Sequence, residues 1–253
     1  MGGRSKVLRS TVVLTISVGA LLLASTAAAS GGSSVAGAPT LAWGQLTAGG
    51  GLEQEFWHLQ LYSGDRITFL AELGSNPQYG TREYGFTLYS PSVTDYNLRD
   101  AGAANEAALS AGKNEFTLTS PFSGVGTLDV CEGLVESSQP CGELAVDIIT
   151  PLVKQADPYS FTATVTHATS LLVSAPTLAR RGSTVAVRAS VQSPAGTPQG
   201  RCLIQGRLAS LVGGRCSRRL RLAHGCKQTI RVEFVASEGW QAASSDRTVR
   251  LLP

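Results

Sequence analysis

Glu55-Phe56-Trp57-His58-Leu59-Gln60-Leu61-Tyr62, then Ser63-Gly64-Asp65, then Arg66-Ile67-Thr68-Phe69-Leu70, is the stretch whose reading decides the fold. Phe56, His58, Gln60 and Tyr62 alternate with Trp57, Leu59 and Leu61. A period of two places successive side chains on opposite faces of a strand. Ser63-Gly64-Asp65 carries turn chemistry, and Arg66–Leu70 reads as a second strand returning beside the first.

Outward from this pair the pattern repeats. Tyr84–Tyr89, Glu115–Thr119, Gly126–Cys131, Glu143–Ile149 and Tyr159–Val165 read as further strands. Ala101–Ala111 is alanine-rich and is expected to be a surface loop. Beyond Thr169, Val185–Val191 alternates, and Gly196-Thr197-Pro198-Gln199-Gly200 turns into Arg201–Ile204. Arg218–Leu222 and Thr229–Val235 are expected to form a hairpin through Ala223-His224-Gly225, with Arg247–Leu252 as the last strand. About six or seven short strands in roughly 80 residues suit an immunoglobulin-like sandwich. The fold class is therefore read as all-β, with two tandem antiparallel β-sandwich domains at residues 40–168 and 169–253, the second immunoglobulin-like.

Composition agrees. The chain has 253 residues, enough for two cores, and only 15% of them are charged. Disordered chains, coiled coils and DNA-binding arms carry far more charge. The N-terminus has its own signature: Arg4, Lys6 and Arg9, then an uncharged apolar run from Val12 to Ala24, then Ala27-Ala28-Ala29. This order reads as a secretory signal peptide over residues 1–29, cut after Ala29. No second apolar stretch of spanning length follows, so no membrane span is expected after cleavage, and the location is expected to be extracellular. Ser30–Pro39, SGGSSVAGAP, reads as a flexible linker with nothing to bury.

Charge is split along the chain. Ser30–Ala168 holds 15 Asp/Glu against 5 Lys/Arg, net −10, whereas Thr169–Pro253 holds 3 against 13, net +10. Twelve of those 13 cations are arginine. A reversal of this size marks a domain boundary and sets two fields of opposite sign against each other.

Two resemblances follow from particular residues. Glu55–Leu61 with Ser63-Gly64-Asp65-Arg66-Ile67-Thr68, and a late strand Tyr159–Val165, resemble the bacterial pre-peptidase C-terminal type of β-sandwich over most of residues 40–168. Gly182-Ser183-Thr184-Val185-Ala186-Val187, Gly196–Gly200, Gly225–Phe234, Trp240 and Ser244-Ser245 resemble the bacterial Ig-like repeats of surface and secreted proteins over residues 172–252. Such repeats often carry Gly-Asp after the aromatic residue, where this chain has Ala236-Ser237. The resemblances imply adhesion, spacer or carbohydrate-associated modules and supply no catalytic residue.

The chemistry-bearing residues are few. Five cysteines in a secreted chain imply disulfides. Cys131 and Cys141 are expected to pair. In the second domain Cys202–Cys216 is preferred, with Cys216–Cys226 and Cys202–Cys226 left open. No CxxC or HxxxH spacing offers a zinc site. His58, His167 and His224 are scattered and read as structural or solvated. Gly32-Ser33-Ser34-Val35-Ala36 lacks the final glycine of a hydrolase nucleophile motif. Glu53/Glu55 and Asp129/Glu132 read as solvated carboxylates rather than a calcium cage. No cofactor and no enzymatic activity are expected.

The functional lead is the cluster Arg215, Arg218, Arg219, Arg221, Lys227 and Arg231. In the expected hairpin Arg219 and Arg221 share a face and Arg231 joins them from the partner strand, an arrangement suited to phosphate, sulfate or carboxylate. Two uses compete with plain solubility: docking of the acidic and basic domains on each other, and binding of an external anion. The expected function is a secreted, non-catalytic interaction, adhesion or accessory module at a bacterial cell envelope. The alternative is a protein that binds a polyanion or carbohydrate through its second domain. Partners are an anionic envelope polymer, a carbohydrate or a surface protein. Nucleic acid is excluded because no aromatic stacking platform accompanies the arginines.

Overall fold

The computed structural model describes residues 31–41, 46–50, 54–74, 82–98, 101–134, 159–223 and 225–253. Among them there is no α-helix, and the strands run β1 (Leu46–Gly50), β2 (Gln54–Leu61), β3 (Arg66–Leu73), β4 (Arg82–Tyr89), β5 (Asn105–Ser110), β6 (Gly112–Thr119), β7 (Gly124–Leu134) and β8 (Tyr159–Thr166). They continue with β9 (Ser170–Ser174), β10 (Leu178–Arg180), β11 (Thr184–Gln192), β12 (Gly200–Ile204), β13 (Arg207–Ala209), β14 (Arg215–Arg221), β15 (Lys227–Ala236) and β16 (Ala243–Leu252).

β1–β8 make two sheets, ordered β1-β8-β3-β6 and β2-β7-β4-β5, with every pairing antiparallel. Trp57, Leu59 and Leu61 face inward, as their alternation requires, and join Ile67, Phe69, Phe86, Leu128 and Phe161 in one buried cluster. The chain's few aromatic residues collect here. Phe69 stacks on Phe116 at 4.8 Å between ring centroids, and Trp57 meets Phe161 edge to face at 5.3 Å. Each such side chain contributes roughly 1.5–3 kcal/mol on burial, which makes this cluster the main stabilising element of the first half.

β9–β16 make the second pair, a three-stranded sheet β14-β11-β9 and a five-stranded sheet β10-β16-β15-β12-β13. All contacts are antiparallel except β10 on β16. Val187, Ile204, Leu222, Ile230, Val232 and Val249 fill a separate cluster. Cys202 on β12 and Cys216 on β14 are disulfide-bonded across the two sheets, the preferred pairing. Cys226 is free and exposed. Cys131 is also disulfide-bonded, and Cys141, its expected partner, lies outside the described residues.

Three expectations are corrected. Residues 31–39 of the supposed linker do bury something. Val35 and Leu41 are buried, and both ends of the segment bond to the edge strand β2 through Gly32 with Phe56 and Pro39 and Leu41 with His58. Local composition missed this because the burial depends on a strand edge that only the assembled sheet creates. Second, Ala101–Ala111 is not a loop throughout: Asn105–Ser110 is β5. Its pairing sets Ala107 opposite Phe86 and Leu109 opposite Tyr84, so alternate residues pack on the core and cross-strand contact overrides alanine's helix preference. Third, β14 and β15 do not form a hairpin. β14 pairs with β11, and β15 with β12 and β16, in different sheets. The expected strand Glu143–Ile149 lies outside the described residues, as do residues 1–29.

The halves meet at a built junction. Asp65, fully buried in the β2–β3 turn, accepts hydrogen bonds from Tyr62 N (2.9 Å), Ala168 N (2.9 Å) and His167 Nδ1 (2.7 Å). The His167 ring lies against Tyr62 and, from the second half, Trp240. Gln241 Nε2 donates to Gly64 O and Thr166 O at 2.9 and 3.0 Å. Gly64 has φ +88°, and a Cβ there would stand 3.0 Å from the Ala168 Cβ, so the turn needs glycine both for its backbone and for its closeness to the connecting segment.

Candidate functional site: an arginine-lined sheet face

β9, β11 and β14 together carry Arg188, Arg215, Arg218, Arg219 and Arg221 and not one Asp or Glu. The strand period sorts these residues. Val185, Val187, Ala189 and Val191 face the core, which turns Arg188 and Ser190 outward. Register then places Ser217 opposite Arg188, Arg215 opposite Ser190, Arg219 opposite Ala186 and Arg221 opposite Thr184, all on the outer face. Ser174 and Leu172 from β9 lie opposite Arg188 and Ser190 on the other side. Arg188, Arg215, Arg219 and Arg221 are all exposed. Among the described residues none of them makes an ion pair.

An open groove of about 810 Å³ runs over this face, lined by residues of β9, β11 and β14 together with Ser210 and Val212. Leu172 and Val212 are exposed large apolar residues, 59% and 75%. The groove therefore combines guanidinium groups, hydroxyls and an aliphatic flank, and no aromatic ring lines it.

The six cations grouped by sequence are not one site. Arg215, Arg219 and Arg221 share the outer face. Arg218 occupies the opposite register, is half-buried, and donates Nη1 to Leu208 O at 2.7 Å, so it ties β14 to β13. Lys227 and Arg231 belong to the five-stranded sheet, where Arg231 is paired with Glu233 at 2.5 Å and stands opposite Asp246 in register. Arg188 completes the face and escaped sequence reading because it is isolated on its own strand. Its place between Val187 and Ala189, on the face opposite theirs, was the available signal.

The acidic half organises its charge differently. Glu55, Asp65 and Asp129 are buried. Burial raises the Glu55 carboxyl, partly offset by a hydrogen bond that Tyr159 Oη donates to Glu55 Oε2, and Tyr159 is itself pushed far upward by burial and by that carboxylate. Burial also lifts Asp129 to about 7, opposed by the hydrogen bond from Gln54 Nε2 at 2.8 Å. Its other oxygen has no hydrogen-bond partner among the described residues. Tyr89 rises to about 12 from burial, then from Asp129 and Glu106. Among the described residues no group of three His, Cys, Asp or Glu side chains is placed to hold a metal.

Of the three histidines, His58 pairs through its backbone with residues 39–41, His167 serves the junction, and His224 lies outside the described residues. Among the described residues no ion pair joins an arginine of the basic half to a carboxylate of the acidic half, and the junction instead uses the Asp65 carboxylate, the His167 ring, the Gln241 amide and backbone groups. No helix among the described residues is long and apolar enough to cross a membrane. No protein-family model and no curated protein matches the chain.

Proposed function

We propose that the protein is a secreted, non-catalytic interaction module of a bacterial cell envelope, and that it holds an anionic polymer on the outer face of β14-β11-β9. The observation that carries this reading is the set of four exposed arginines on one face, with no acid on its three strands. Like charges gathered without counter-charges repel, and a ligand bearing spaced anions relieves that repulsion. Arginine forks take carboxylate, sulfate or phosphate bidentately. The five-stranded sheet of the same half also carries an excess of cations, but there two acids stand among them, Glu233 paired with Arg231 and Asp246 opposite it in register.

The architecture proposed with this function is two tandem sandwich domains behind a signal peptide cut after Ala29. Two separate buried clusters support the division. The second domain is read as immunoglobulin-like, supported by its two sheets and by an early strand, β10, that crosses to lie parallel to the last, β16. Its disulfide joins β12 to β14 rather than the strand pair bridged in antibody domains.

The test is retention of the chain starting at Ser30 on immobilised polygalacturonate across a salt series, beside Arg219→Ser/Arg221→Ser. Retention that falls steeply with salt, and a variant with a shallower fall, is the expected result. Equal behaviour of both proteins, or no retention at 50 mM salt, would overturn the reading. N-terminal sequencing of the product released when the full chain is expressed with a secretion pathway checks the cleavage, with Ser30 as the expected first residue.

A further inference from the structure

Resting on that reading, we infer that the groove over β9, β11 and β14 is the specificity-determining seat of the face, and that it takes an acidic polysaccharide carrying acetyl or methyl substituents. The four arginines account for attraction but not for the shape or the chemistry of the groove, which lies toward one end of the face, at Arg188 and Arg215. Arg188 and Arg215 occupy diagonal positions on neighbouring strands, Arg188 opposite Ser217 and Arg215 opposite Ser190. Diagonal cross-strand neighbours stand about 7–8 Å apart, close enough for two guanidinium groups to hold the acidic groups of adjoining units.

Between and beside them are hydroxyls. Ser190 and Ser217 separate the arginines, and Ser174 and Ser210 extend the polar floor. Hydroxyls both donate and accept, which suits a ligand that is itself rich in hydroxyls and not only anionic. The volume, about 810 Å³, falls within the roughly 300–1,000 Å³ of sites that hold small organic groups.

The flank is what narrows the ligand. Leu172 from β9 and Val212 from the segment before β14 both line the groove with large exposed apolar surface. A ligand with only charged and hydroxyl groups would leave that surface in water, whereas acetyl or methyl substituents cover it and gain from taking apolar area out of water. No aromatic ring lines the groove, so flat stacking of bases or sugar rings has no platform and selectivity falls to the aliphatic pair.

The experiment uses two probes of equal charge: polygalacturonate and the same polymer chemically O-acetylated. Binding of the chain from Ser30 is measured against both by titration calorimetry, for the parent and for Leu172→Ser/Val212→Ser and Arg188→Ser/Arg215→Ser. All four positions are exposed or on the outer face, and circular dichroism checks that each variant folds. The acetylated polymer is expected to bind about 5–10-fold tighter than the plain one. Leu172→Ser/Val212→Ser should abolish that preference and keep the salt dependence, whereas Arg188→Ser/Arg215→Ser should weaken both probes and flatten the salt dependence. Equal affinity for the two polymers in the parent, or a preference that survives Leu172→Ser/Val212→Ser, overturns the inference and leaves the polyanion reading standing. Polyglutamate bound as tightly as the acetylated polymer also overturns it, because the partner is then an acidic polypeptide. Absence of binding to every probe overturns the underlying reading as well.

Discussion

The two halves of the chain carry equal and opposite net charge, −10 and +10 over the ranges given above, yet the structure uses the two charges in different ways. In the first half three carboxylates go inside, Glu55, Asp65 and Asp129, together with His167 at the boundary, while Glu72, Asp95, Glu106 and Glu115 stay exposed. In the second half no Arg, Lys, Asp or Glu among the described residues is buried. Burying a charge costs heavily unless it is paired, hydrogen-bonded or neutralised, so the acids inside must be doing structural work or shifting their protonation. A charge left in water on an exposed strand costs little and remains available to a partner. Equal numbers in sequence therefore describe one half that buries three of its carboxyl groups, two of them holding their proton more tightly for it, and one whose charge is turned outward.

The largest expected effect tests the inside charges through pH. Asp129 titrates near 7 in the fold and near 3.9 when unfolded, so between those values the native state holds a proton that the unfolded state has released. Its contribution is fully present below about pH 4 and is lost as pH rises through 7, by about 4 kcal/mol, and Glu55 adds a loss of the same sign. Urea denaturation of the parent and Asp129→Asn from pH 3 to 8 should show the variant gaining relative stability by that amount across the window. A constant difference between the two proteins would break the comparison.

Next is the junction. Asp65→Ala removes the acceptor for Tyr62 N, Ala168 N and His167 Nδ1 at once and is expected to cost about 3 kcal/mol in chemical denaturation. A loss below about 1 kcal/mol, the size seen for exposed ion pairs, would place Asp65 with the solvated charges instead. Of similar size is Cys202→Ser/Cys216→Ser, which opens a loop of 14 residues' separation and should lower stability by about 3 kcal/mol on the loop-entropy account. The smallest effect belongs to the outside charges. Arg188→Ser/Arg215→Ser and Arg219→Ser/Arg221→Ser should each change stability by less than about 0.5 kcal/mol by thermal melting while altering polyanion retention. A larger loss would mean that these arginines also support the fold.

Period and turn chemistry made most strands legible. Trp57, Leu59 and Leu61 face the core as their alternation implies, and β7, β8, β11, β12 and β15 cover the stretches expected for them. What stayed hidden depends on pairing at long range. Asn105–Ser110 looks like an alanine-rich loop until β4 stands beside it. The arginine face was half legible: Arg215, Arg219 and Arg221 alternate on one strand, but whether Arg231 or Arg188 completes them is decided by which strand β14 pairs with. Sequence proximity favoured the hairpin partner. The chain instead crosses to the other sheet after β14, which pairs with β11 while β15 pairs with β12 and β16. The burial of Asp129 was equally hidden, since a carboxylate in an alternating strand reads as solvated until both faces of that strand are covered.

The segment at residues 31–41 has a consequence for how the molecule can be made and handled. β2 is the edge of its sheet, and this segment occupies main-chain groups at Phe56 and His58 that would otherwise face solvent. Gly31 fits only because it lacks a side chain: a Cβ there would lie 2.7 Å from Glu55 Cβ and 2.8 Å from the Trp57 ring. A chain trimmed past Leu41, or one with a bulky residue at Gly31, would leave an open strand edge ready to recruit its like from a neighbouring molecule. Residues 31–41 thus serve as a built-in guard against aggregation, and a purification tag belongs at the far end of the chain.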